Sequence, residues 1–338
     1  MKKIITFVGL VSITIGNLIC SPLIFASENH ADFTVNAQQS TYQVDKQKTY
    51  FDLSLPINKV VPLTIQVTNN SNETISVSGK INPATTNLNG VVEYSKTKDK
   101  LTGKQPIDIT KIAKFEKETQ TIEPKQTINF VVNVTVPTKN YSGVVAGGIT
   151  LRDVTEKKED EKHIRMFKNK FAYAIALILH GEREPIKTEL ALKDVIPDQV
   201  NNRNVLIAEI TNESTNYFNK VSIEANVIDS NNKQILWEKK ENMQIAPSSI
   251  FQFPLYYAEE KMQEGTYILK MVVKSNEQEW DLSKKFVIQK DAANKLNQTD
   301  IVQNSDRNTN IMVYIIIGLI VLFICLVIII FILFKKRK

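Results

Sequence analysis

The sequence predicts an all-β fold of two tandem immunoglobulin-like β-sandwich domains, flanked by an N-terminal signal peptide and one C-terminal transmembrane helix. Three observations carry this reading. Apolar residues recur with a period of two along the chain, turn-forming clusters separate these runs, and an apolar segment occupies each end.

The alternation is cleanest at Ile128, Phe130, Val132, Val134 and Val136, interleaved with Thr127, Asn129, Val131, Asn133 and Thr135. A strand with that pattern buries one face and wets the other. Similar runs are Leu63, Ile65, Val67; then Phe171, Tyr173, Ile175, Leu177, Leu179; Val221, Ile223, Ala225, Val227; and Tyr267, Leu269, Met271, Val273. Turn chemistry lies between them at Asn69-Asn70-Ser71-Asn72, Glu123-Pro124-Lys125-Gln126, residues 229–233 and Glu264-Gly265. Such residues close turns through local hydrogen bonds or tolerate positive φ. No helix is expected between the two ends, and Trp237 and Trp280 are expected in the core.

At the N-terminus, Lys2 and Lys3 precede an apolar run over 4–19, then Ser21-Pro22 and Ala26. This is the pattern of a secretory signal peptide spanning 1–27. Ile19 stands where lipoprotein processing wants a small residue before Cys20, so ordinary cleavage near Ala26 is expected. At the C-terminus, residues 311–334 are apolar throughout and long enough to cross a bilayer, and the basic tail 335–338 is expected to hold that end in the cytoplasm. A wall-sorting pentapeptide is absent from 303–310, so the helix is expected to remain as the anchor.

The net charge of +6 comes entirely from these ends. Removing Lys2, Lys3, Lys335, Lys336, Arg337 and Lys338 leaves 36 bases against 36 acids. Bulk charge therefore gives no argument for nucleic acid, and no nucleic-acid partner is expected. Cys20 lies in the signal and Cys325 in the span, so the mature ectodomain carries no thiol. An exported region of this size without disulfides suits a bacterial cell surface.

The expected organisation is a first domain over 31–152, a charged loop over 153–162, a second domain over 163–290 and a polar stalk over 291–310. One ambiguity is open at this level: residues 171–180 can pair back onto 143–152 as a long hairpin, moving the boundary near Glu184. The acids of 156–162 are interspersed with lysines, which favours a solvated loop over a cation site.

Catalytic chemistry finds little support. The only histidines are His30, His163 and His180, no pair has metal-ligand spacing, and no serine lies in a nucleophile-elbow pattern. No cofactor or metal is expected. Gly143, Gly147 and Gly148 crowd one strand without the Lys-Ser/Thr of a phosphate loop, which leaves a tight backbone crossing or a groove for a ligand.

Resemblance adds a family. Tyr50-Phe51-Asp52-Leu53, Val67-Thr68-Asn69-Asn70-Ser71, Ala84-Thr85-Thr86-Asn87-Leu88-Asn89-Gly90-Val91 and Tyr141-Ser142-Gly143-Val144-Val145-Ala146-Gly147-Gly148-Ile149 stand in the first domain. The second has Asn204-Val205, Met243-Gln244-Ile245-Ala246-Pro247, Phe251-Gln252-Phe253-Pro254 and Gly265-Thr266-Tyr267. In their order and joint presence these resemble the WxL-interacting proteins of Gram-positive bacteria. The resemblance implies a peptidoglycan-binding first domain, a host-binding second domain, and a non-catalytic surface scaffold or adhesin beside secreted WxL proteins. Peptidoglycan, WxL-domain surface proteins and host extracellular proteins are the partner classes, with the membrane engaged through one helix. The alternative is a wall-modifying hydrolase with an unrecognised site.

For glycan contact the candidates are Thr85, Thr86, Asn87, Asn89 and Gly90, whose amides and hydroxyls suit sugar hydrogen bonds, against a reading in which they cap a structured loop. For partner contact they are Met243, Pro247, Phe251 and Phe253, against a reading in which all four are core.

Overall fold

The computed structural model describes residues 32–94, 100–155, 171–182, 190–257, 261–301 and 316–322. The expected signal peptide, the charged segment 156–162 and the basic tail lie outside the described residues. Of the expected span, residues 316–322 are described and are helical. Among the described residues no helix is long and apolar enough to cross a membrane.

The first sandwich is built from β1 (Phe33–Ala37), β2 (Phe51–Leu53), β3 (Val60–Asn69), β4 (Ile75–Pro83), a ribbon of β5 (Thr85–Thr86) and β6 (Val92–Glu93), helix α1 (Ile109–Ile112), β7 (Ala113–Phe115), β8 (Thr119–Ile122), β9 (Thr127–Thr135), β10 (Val144–Asp153) and β11 (Ala172–His180). One sheet runs β1-β3-β9-β7 and the other β2-β11-β10-β4-β8. As the alternation predicts, β9 turns Phe130, Val132 and Val134 inward, where they meet Phe33, Leu63, Ile65, Ile149 and Leu177.

The hairpin reading of residues 171–180 holds. Strand β11 pairs antiparallel with β10 from Val144 opposite His180 to Arg152 opposite Ala172. It completes the first sandwich rather than opening the second, because Ile175, Leu177 and Leu179 belong to the first core. The first sandwich therefore extends to His180.

The second sandwich contains β12 (Leu190–Val200), β13 (Arg203–Asn212), β14 (Phe218–Asp229), β15 (Gln234–Ile245), β16 (Ser249–Tyr256), β17 (Gly265–Ser275), β18 (Gln278–Ile288) and helix α2 (Lys290–Thr299). Its sheets run β12-β13-β16 and β15-β14-β17-β18. Leu206, Ile223, Phe251, Phe253, Leu269 and Val273 are sealed between them.

Helix α2 corrects the expectation of a stalk from residue 291. Ala293 is buried and Leu296 packs against the second core. Asn297 grips Met262, accepting from its N–H at 3.0 Å and donating to its carbonyl at 2.8 Å, while the Asp300 carboxylate accepts the Asn204 N–H at 2.9 Å. Composition hid this helix because two apolar side chains at i, i+3 spacing anchor it within an otherwise polar segment. The short α1 was missed for a related reason. Its start depends on Asp108, whose carboxylate accepts the Thr110 N–H at 3.0 Å, and four residues are too few to show a period.

Trp237 also departs from expectation. It stands on the outer face of β15 and is 52% exposed, whereas Trp280 packs edge-on against Phe218 with ring centroids 5.1 Å apart.

Candidate functional site

The connection from β4 to β8, residues 84–118, folds against the second domain. Thr85 and Thr86 are both fully buried, and the Thr86 hydroxyl accepts the Ala246 N–H at 2.9 Å. Gly90 accepts the Gln244 N–H through its carbonyl at 2.7 Å. Gly90 has φ +74°, and a Cβ there would lie 2.3 Å from the Met243 side chain. Further along, the Ser248 carbonyl accepts both the Thr102 N–H at 3.1 Å and the Gln105 amide at 3.0 Å. Leu101 forms a β-bridge with Ser249, and the Val144 N–H donates to the Thr215 carbonyl at 2.9 Å.

The two sets of candidate residues thus meet each other. Thr85, Thr86 and Gly90 are closed off against the segment that carries Met243 and Pro247, so they do not present a sugar-binding surface to solvent. Asn87 follows the loop-capping reading: its side-chain oxygen accepts the N–H groups of Asn89 at 2.9 Å and Val91 at 3.1 Å. Asn89 itself is exposed. Met243, Phe251 and Phe253 are second-domain core, and Pro247 is buried. Strand β16 is buried on both faces, and β5 of the first domain packs beside it.

The crowded glycines resolve as close approaches. Ile109 sits over Gly147, the Tyr94 ring over Gly148, and the Phe115 ring over Gly79; a Cβ at Gly148 would lie 2.3 Å from Tyr94. Gly143, with φ +67°, fits against Thr215 of the second domain. The glycines admit the insertion and the neighbouring domain rather than a phosphate.

Beside this junction lies a cleft of about 680 Å³. It is framed by β4, the loop before α1, β7 and the start of β10, and Pro247 and Ser248 of the second domain close one end. Its floor holds Ile81, Pro83 and Ile109, and its lining includes Lys80, Asp108, Lys114 and Glu118. Sequence reasoning missed it because it is assembled from separate stretches within 79–84, 101–118, 144–146 and 247–248, none carrying a motif.

Three tyrosines are perturbed around the junction. Burial, with the neighbouring Tyr50 adding to it, pushes the Tyr94 hydroxyl up to about 12, and burial pushes Tyr141 up to about 12. Burial also pushes Tyr217 well above its usual value. All three stay neutral at physiological pH and act as packing groups. His180 pairs with Asp52 on adjacent parallel strands, and among the described residues no serine or cysteine is joined to the pair by a hydrogen bond. Among the described residues no three His, Cys, Asp or Glu side chains could hold a metal ion.

Comparison with known proteins places these domains. No curated protein matches the chain. Among solved structures, the Salmonella enterica SafA pilin in complex with the SafB chaperone is 11% identical over 78% of this chain and 99% of that one, with a TM-score of 0.32. The E. coli chaperone DraB is 12% identical over 76% and 95%, with a TM-score of 0.29. At these scores neither likeness bears on fold or function. The family models are decisive. Residues 33–153 match the WxL Interacting Protein peptidoglycan binding domain and residues 161–298 its host binding domain, the second match including β11. Both are binding-domain families, they follow each other in the order expected from the sequence, and the chain belongs to the WxL Interacting Protein family.

Proposed function

We propose that this protein is a non-catalytic cell-surface scaffold: its first domain engages peptidoglycan, its second engages a protein partner, and the apolar segment 311–334 tethers both to the outer side of the membrane. The observation that supports it most is the pairing of the two binding-domain matches in one chain. Secreted WxL-domain proteins and host extracellular proteins are the partner classes. The junction supports a scaffold in which wall and partner sites keep a fixed spacing, because backbone hydrogen bonds cross between the domains.

Residues 28–310 incubated with purified sacculi and, separately, with immobilised WxL domains test this reading. Retention on both is expected, and retention on neither overturns it. Muropeptides released from the same sacculi, and abolished by a single Asp or Glu substitution, would establish the hydrolase reading instead.

A further inference from the structure

We infer that the 680 Å³ cleft takes the peptide stem of peptidoglycan, bound as an added strand along the free edge of β4. The inference rests on the peptidoglycan reading above and names where, and through which part of the polymer, that binding occurs.

The argument begins with backbone pairing. Strand β4 pairs with β8 only over Ile75 to Ser78, while its pairing with β10 continues to Pro83. Beyond Gly79 no described strand pairs with that edge, which lines the cleft. The Gly79 N–H points to that side, since it donates to the Glu118 carbonyl at 2.7 Å. The Ala84 N–H points to the other, donating to Ala146. Antiparallel pairing alternates along a strand, so Ile81 turns both its N–H and its carbonyl into the cleft. No described residue bonds to either group. Such an edge is a template for an extended peptide.

The walls suit the same ligand. Ile81, Pro83 and Ile107, each partly exposed, offer small apolar surface for alanine-sized side chains, and both signs of charge line the site. Lys80 and Lys114 are exposed and have no ion-pair partner among the described residues, which leaves two cations for peptide carboxylates. Sugar recognition would want a free aromatic face, and the one ring in the lining, Phe115, is pressed onto Gly79 and packs edge-on against Phe130 at 6.1 Å. A peptide uses everything the cleft presents, and a glycan strand does not.

The test uses the full-length chain in detergent micelles. A fluorescein-labelled stem pentapeptide of mixed L- and D-residues is titrated by anisotropy, with unlabelled pentapeptide or peptide-free glycan strands as competitor. Sacculus retention and thermal unfolding are measured in parallel. Saturable binding displaced by pentapeptide and not by glycan is expected. The double variant Lys80→Glu/Lys114→Glu should weaken it at least tenfold with unchanged unfolding. Ile81→Pro, which deletes the N–H on the free edge, should do the same. If the wild-type chain is retained on sacculi but glycan is the competitor, or if the double lysine variant binds pentapeptide as well as wild type, the cleft assignment is overturned and the peptidoglycan reading stands. If the wild-type chain is not retained at all, the reading itself fails and takes the cleft with it.

Discussion

The two sandwiches share one framework and differ most in a single connection. Strands β1-β3-β9 of the first correspond to β12-β13-β16 of the second, and β8-β4-β10-β11 to β15-β14-β17-β18. In the second domain β14 reaches β15 through residues 230–233, whereas in the first the equivalent connection runs from 84 to 118 and contains the β5–β6 ribbon, α1 and β7. That insertion makes the junction and walls the cleft. A common framework supplies stability, and a loop grafted on one copy supplies the surfaces that distinguish it.

The shared part is anchored by a repeated corner. Thr68-Asn69-Asn70-Ser71 ends β3, and Thr211-Asn212-Glu213-Ser214 ends β13. The Asn69 amide donates to Glu73 at 2.8 Å, Ile122 at 3.0 Å and Glu123 at 3.2 Å, and its oxygen accepts the Ser71 N–H at 2.9 Å. The Asn212 amide donates to Asn216 and Ala246, both at 2.9 Å, and its oxygen accepts the Ser214 N–H at 3.0 Å. Both asparagines are fully buried, so alanine would strand several backbone groups. Asn69→Ala and Asn212→Ala should each cost about 3 kcal/mol in urea denaturation, the largest single effects expected here. A cost confined to one of them would break the equivalence of the domains.

The junction is tested by filling the glycines that let the two domains approach. Gly90→Val and Gly143→Val combine a left-handed backbone with a Cβ driven into Met243 or Thr215, for about 2 kcal/mol each. More tellingly, both should loosen the domains, read as a larger radius of gyration in small-angle scattering. Gly103→Val is the control. Its φ is +77° but nothing lies within 4 Å of the added Cβ, so it should cost about 1 kcal/mol without changing the radius.

The legible part of this molecule is the part governed by local periodicity. Alternation located β3, β9, β11, β14 and β17 because each buries one face along its own length. The junction was not legible, since Thr86 needs Ala246 as its partner, a pairing 160 residues apart that no pattern announces. The same holds for the cleft. The quoted segments 84–91 and 243–247 were singled out as special, and they are, but as two halves of one contact rather than as two ligand surfaces. The corner repeat was readable in principle, as Thr-Asn-x-Ser in both halves of the chain, and marks the equivalence of the domains more directly than composition does.

Alkali should act first on the insertion and its surroundings. Tyr94 and Tyr141 have hydroxyls raised to about 12 by burial. Between pH 10 and 12 the unfolded chain releases protons that the folded chain keeps, so stability is full below pH 10 and falls as pH rises. The loss should be about 2 kcal/mol per tyrosine by pH 12, and Tyr141→Phe should flatten the profile. Tyr141 also donates to the Leu179 carbonyl at 3.3 Å, so the phenylalanine variant should start about 1 kcal/mol lower at neutral pH. A profile as steep in the variant as in the wild type would remove Tyr141 from the account.

The smallest expected effect follows from what the second domain lacks. On the first domain, the outer face of the sheet is covered where Tyr94, carried by the insertion, lies on Gly148. On the second, the short hairpin brings nothing over the corresponding sheet, and Trp237 on β15 stands 52% exposed, touching Glu224 through its indole N–H at 3.3 Å. Little apolar area is removed from water there, so Trp237→Ala should change stability by less than about 0.5 kcal/mol. Trp280, packed on Phe218 at the other edge of the same sheet, should cost about 2 to 3 kcal/mol as alanine. The pair separates the two faces of one sheet by measurement. Equal costs would mean that the outer face of β15 is covered after all, and that the second domain is less bare than its short hairpin makes it.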